Sequence, residues 1–87
     1  MKTITMFIME TCPHCRAALQ WMNDLIANNE KYKALTINII DERKQPEVAN
    51  KLSYYYVPTY YVDDEKVHEG SASEAAVKKV LDYALSQ

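Results

Sequence analysis

Residues 6–15 read MFIMETCPHC, and they set the frame for the whole chain. The segment Thr3–Met9 alternates polar and apolar residues at first, then becomes almost continuously apolar, the pattern of a strand buried on both faces. Thr11 and Cys12 mark a turn. Pro13 suits the first position of a helix, where its missing N–H is no loss. Beyond it Cys15, Ala18, Leu19, Met22, Leu25 and Ile26 recur at helical spacing and lie on one face. Asn28–Asn29 favour the end of that helix. A C-x-x-C pair therefore sits where a buried strand hands over to a helix.

The remaining elements follow the same logic. Ala34–Ile40 (ALTINII) reads as a second buried strand closed by Asp41. A short helix follows, with Pro46 near its start and Val48, Ala49 and Leu52 on one side. Ser53–Val62 (SYYYVPTYYV) is the most strand-like stretch in composition, yet Pro58 stands in its middle. Proline has no N–H for a sheet ladder, so the third strand is expected only over Thr59–Val62. Asp63–Asp64 makes a tight turn without the usual Gly. Lys66–Glu69 is a short fourth strand. Gly70 breaks it, and Ser71-Ala72-Ser73-Glu74 fits a capping box for a last helix with Val77, Val80, Leu81 and Ala84 on its apolar stripe. The order βαβαββα makes an α/β domain spanning residues 1–87. Its βαβ opening implies a parallel strand pair and its Asp63–Asp64 turn an antiparallel hairpin.

Composition narrows the function classes. The net charge of -2 and the lack of any long basic run exclude nucleic acid as an expected partner. The apolar runs are far too short to span a membrane. The start MKTITMFIM lacks the form of a signal peptide, so a cytoplasmic setting is expected. Two cysteines are too few for a disulfide scaffold, and a cytosolic pair points to catalysis or metal binding.

Tetrahedral zinc needs four ligands. Besides Cys12 and Cys15 the chain offers only His14, which lies between them and points away from a shared metal, and His68. A metal or iron–sulfur site shared between two chains, using Cys12, stays open as an alternative. The redox reading fits the context better, since a C-x-x-C in a βαβ setting is a redox signature. A helix N-terminus carries unpaired N–H groups and a partial positive charge, so a thiolate placed there is stabilised. Cys12, ahead of the helix, is expected to be the exposed nucleophile. Cys15, three residues on, is expected to be buried and to act as the resolving thiol. Pro13 and His14 lie between them; a protonated His14 would stabilise the Cys12 thiolate further, the plainer alternative being a solvated turn residue. No bound metal or organic cofactor is called for; an external reductant regenerates the dithiol.

With these residues in place, the chain resembles the thioredoxin superfamily, and most closely its glutaredoxin-like branch. The resemblance covers nearly the whole chain and rests on MFIMETCPHC, the strand ending in Asp41, YYVPTYYVDD and Gly70 before the last helix. It implies a thioredoxin fold, a four-stranded mixed sheet with helices on both faces, and a monomeric oxidoreductase acting on protein disulfides or glutathione mixed disulfides. It also implies a cis bond before Pro58, leaving the backbone of Val57 to pair with an extended substrate. A trans proline at the start of an edge strand is the plainer alternative. Thr11, Ser71 and Ala72 would complete the substrate surface, and Tyr54, Tyr55 and Tyr56 either rim it or pack. Glutathione or a flavoprotein reductase would supply electrons. Two features depart from the glutaredoxin pattern. Met9 stands where a Lys usually contacts glutathione, and Glu69-Gly70-Ser71-Ala72 replaces the usual Gly-Gly-Cys-Asp. Some cluster-carrying relatives use glutathione as a co-ligand, the form the carrier alternative would take.

Overall fold

The computed structural model describes residues 2–86. The elements run β1 (Ile4–Ile8), α1 (Pro13–Asn28), a 3-10 turn (Glu30–Ala34), β2 (Ile37–Asp41), α2 (Pro46–Ala49), β3 (Thr59–Val62), β4 (Glu65–Glu69) and α3 (Glu74–Ser86). The four strands form one sheet in the order β2-β1-β3-β4. β1 and β2 are parallel, while β1–β3 and β3–β4 are antiparallel.

The apolar periodicities decide which helix covers which face. Ile4 and Met6 of β1, with Tyr60 and Val62 of β3, meet Ala18 and Met22 of α1 and Val77, Val80, Leu81 and Ala84 of α3. Phe7 and Tyr61, which alternate with them, point to the other face and meet Ala49 of α2. Side chains of this size contribute roughly 1.5–3 kcal/mol each when fully buried. All four residues of β3 are buried, as befits a central strand. Pro58 precedes the first ladder pair, Thr59 with Phe7 and Glu69, so no sheet bond is lost to it. Its carbonyl still accepts the Gly70 N–H at 2.9 Å.

Three sequence expectations need correction. The second strand begins at Ile37, and Ala34 belongs to the 3-10 turn, which brings Tyr32 into the core with its hydroxyl donating to Asp82 Oδ1 at 2.5 Å. β2 is not buried on both faces: it is an edge strand, and Ile39 is 46% exposed. The cap of α3 is Ser73, whose Oγ accepts the Ala76 N–H at 3.1 Å and whose carbonyl accepts the Val77 N–H at 3.0 Å. Glu74 is then the first helical residue, so the box starting at Ser71 does not form. In the hairpin turn Asp63 takes the left-handed conformation, with φ 52°, that Gly would usually fill. Its carboxylate accepts the Thr3 N–H at 2.9 Å, which anchors the turn to the chain just before β1.

Candidate active site

The turn between β1 and α1 places the cysteines. The Cys12 N–H donates to the Met9 carbonyl at 3.0 Å, closing the turn. Cys12 is the N-cap of α1, with extended backbone angles, and Pro13 is the first helical residue. The cap position normally uses a side-chain oxygen to accept a first-turn N–H. Here the Cys12 Sγ does so, accepting the Cys15 N–H at 3.3 Å. Cys12 was expected to be exposed; it is half-buried. Cys15 falls on the covered face of α1 with Ala18 and Met22 and is only 1% exposed. That burial, reinforced by its contact with Cys12, pushes the Cys15 thiol up to about 12. Both thiols are free. One cysteine is thus partly exposed, with its sulfur served by a helix N–H; the other is enclosed and held neutral.

The second wall comes from the segment before β3. The Val57–Pro58 bond is cis. The Val57 carbonyl lies 3.8 Å from Cys12 Sγ and accepts from its thiol. Two residues 45 apart in sequence therefore meet at one sulfur. Among the three preceding tyrosines the roles divide. Tyr54 stacks on Phe7 at 5.1 Å between centroids, and its hydroxyl donates to Glu42 at 2.9 Å. Tyr55 and Tyr56 face solvent, 89% and 70% exposed.

The other predicted residues are placed less decisively. Thr11 is an exposed turn residue beside Cys12, and His14 is exposed in the first turn of α1. Ser71 and Ala72 lie between β4 and the Ser73 cap, directly after Gly70, whose N–H donates to the Pro58 carbonyl. Ala72 packs partly against the core. Glu69, part of the stretch that departs from the glutaredoxin pattern, is engaged within the protein. Its carboxylate accepts the N–H groups of Tyr55 and Tyr56, the latter at 3.0 Å, and pairs with Lys66 at 2.8 Å. A separate cavity of about 380 Å³ between α1 and β2 touches Cys15, with Ile8, Leu19 and Ile39 in its lining; neither Cys12 nor Val57 lines it. Among the described residues no group of three or more His, Cys, Asp or Glu side chains is placed to hold a metal ion. No helix among them is long and apolar enough to cross a membrane.

A thioredoxin-domain family model matches residues 2–82. The chain belongs to the thioredoxin-domain family. Its fold is the thioredoxin fold, shared with the solution structure of oxidised thioredoxin from Plasmodium falciparum. That likeness has a TM-score of 0.73 and 22% identity, covering 94% of this chain and 80% of that one. No match to a curated protein was found. A thioredoxin domain with two cysteines in C-x-x-C spacing at the start of α1 supports thiol–disulfide oxidoreductase chemistry in general.

Proposed function

We propose that this thioredoxin-domain protein is a glutaredoxin-like, cytoplasmic oxidoreductase that reduces protein disulfides or glutathione mixed disulfides, with Cys12 as nucleophile and Cys15 as resolving thiol. The observation that carries the reading is the surroundings of one sulfur: Cys12 Sγ caps α1, accepts the Cys15 N–H at 3.3 Å and lies 3.8 Å from the Val57 carbonyl. The Cys12 thiolate attacks one sulfur of the substrate disulfide. That S–S bond breaks, a mixed disulfide forms, and the departing thiolate takes up a proton. Cys15 gives up its proton and attacks the Cys12 sulfur, releasing the second substrate thiol and leaving a Cys12–Cys15 disulfide. Two electrons have passed to the substrate, and glutathione or a flavoprotein reductase restores the dithiol.

The neighbours have definite parts in this scheme. An extended substrate pairs with the backbone of Val57 as a short β-addition beside Pro58. Thr11 and the Ser71–Ala72 segment border it. His14, when protonated, adds positive charge at the start of α1. By favouring the reduced form it makes the disulfide more oxidising, by about 30 mV for every 1.4 kcal/mol. With a protein disulfide as substrate and no glutathione present, the assignment of roles is tested by Cys15→Ser, which stops the cycle at the mixed disulfide. Mass spectrometry should find the substrate adduct on Cys12. No adduct with any disulfide, or undiminished multiple turnover, would contradict the scheme.

A further inference from the structure

The segment Ser53–Val57 brings the Val57 carbonyl to Cys12 without belonging to any helix or strand. Such a segment is ordinarily among the softest in a domain. Here the β3–β4 hairpin holds it along its length. Tyr61 Oη donates to the Ser53 carbonyl at 3.1 Å, and Lys66 Nζ donates to the same oxygen at 3.2 Å. The Thr59 hydroxyl donates to the Tyr56 carbonyl. Glu69 spans the middle: one carboxylate oxygen accepts the Tyr55 and Tyr56 N–H groups, and the other accepts from Lys66 at 2.8 Å.

This arrangement depends on an irregularity in the sheet. Residues three apart on a regular strand point to opposite faces. In β4, however, Tyr60 pairs with His68 and Tyr61 with Lys66, so Val67 is an extra, bulged residue. The bulge restores Lys66 and Glu69 to one face, the face from which Tyr61 also reaches the loop. The Tyr55 and Tyr56 backbone amides, in the two residues ahead of the Cys12-facing Val57, are therefore satisfied from within the protein.

We propose that Glu69 is a positioning residue of the exchange site: its carboxylate fixes the Tyr55–Tyr56 backbone so that Val57 stands ready beside Cys12 to pair with the backbone of a polypeptide disulfide. This rests on the oxidoreductase reading above and names the substrate class that gains from it. A polypeptide needs the Val57 backbone for alignment, whereas a small disulfide needs little beyond the Cys12 sulfur. A carboxylate suits the task because it only accepts, with two oxygens to share between the amides and Lys66. The amide of Gln would offer one acceptor and turn a donor toward a partner that is itself a donor. Preorganising the loop lowers the ordering cost of binding without new contacts to the substrate.

The test compares wild type with Glu69→Gln and Glu69→Asp, using a peptide disulfide and hydroxyethyl disulfide as substrates with the same reductant. In Glu69→Gln the KM for the peptide should rise roughly tenfold, equivalent to about 1.4 kcal/mol, with the loss in KM and not in kcat. The loss for hydroxyethyl disulfide should be much smaller, and the Cys12–Cys15 midpoint potential should stay in place. Glu69→Asp, which keeps the carboxylate, should recover part of the loss. Equal losses for both substrates, or an unmoved peptide KM, would overturn the proposal while leaving the oxidoreductase reading intact. A wild type that reduces neither substrate would sink that reading and this proposal together. If the variants do not fold, amide hydrogen exchange of the wild type decides. Slow exchange at Tyr55 and Tyr56, despite their exposed side chains, supports the clamp, and exchange at free-loop rates overturns it.

Discussion

Replacing Tyr60 by Phe should stabilise the protein. Tyr60 is fully buried at the centre of β3, yet its hydroxyl has no hydrogen-bond partner among the described residues. Burial accordingly pushes its phenol well above the ordinary tyrosine range. Holding an unpaired hydroxyl away from water costs about 1–3 kcal/mol on the scale of protein mutations. Phe removes that cost and leaves a void of one oxygen atom. At roughly 24 cal/mol per Å³, a void on the order of 10 Å³ costs about 0.2 kcal/mol. The desolvation effect is several times larger and wins. A gain of about 1 kcal/mol raises Tm by about 4–8 °C in a domain of this size. Thermal and urea melts of the reduced protein at neutral pH measure it. A loss of about 1 kcal/mol, the net value of an ordinary hydrogen bond, would show that an ordered water or another group satisfies the hydroxyl. Tyr60 would then not be an unpaired buried donor.

Three further predictions concern the helix start of α3 and the buried thiol. Ser73→Ala should lower stability by about 1 kcal/mol through loss of its cap, while Ser71→Ala should stay within about 0.5 kcal/mol. A larger loss for Ser71→Ala than for Ser73→Ala in urea melts would return the cap to Ser71. Iodoacetamide at pH 7 should label Cys12 and spare Cys15, whose thiol is held neutral by burial; peptide mapping that finds the label on Cys15 would reverse the assignment. Since the folded-state value for Cys15 is raised from 9.0 to about 12, its contribution to stability is complete below pH 9. It is lost as pH climbs toward 12, so urea midpoints of the reduced protein should fall across that range.

Much of this architecture is legible in the sequence because periodicity and punctuation agree. The apolar stripe of α1 and the C-P-H-C motif locate the cysteines and predict which one is buried. Pro58 marks the start of β3, and the alternation of Tyr60 and Tyr61 predicts their opposite faces. What escapes has physical reasons. ALTINII looks like an interior strand, but an apolar run does not tell an edge from a centre, and β2 lies at the edge. Ser71 and Ser73 are equivalent as caps until the length of the connection from β4 is known. The tyrosines Tyr54, Tyr55 and Tyr56 look alike, yet only Tyr54 meets Phe7. Glu69 is the clearest case. Its partnership with the loop requires the bulge at Val67, and nothing in Lys66-Val67-His68-Glu69 announces a bulge. The charge pattern alone signals an exposed strand, so the contact of Glu69 with the loop before Val57 is not legible in the sequence.

The proposed function requires Cys12 and Cys15 to form one working redox couple. Its most direct test is equilibration of the protein across glutathione to glutathione-disulfide ratios, followed by an alkylating quench and mass measurement. A single two-electron transition between the dithiol and a Cys12–Cys15 disulfide is expected, with any glutathione adduct confined to Cys12. A pair that never closes, or cysteines shielded from alkylation by a co-purifying metal or cluster, would contradict it and favour the carrier alternative.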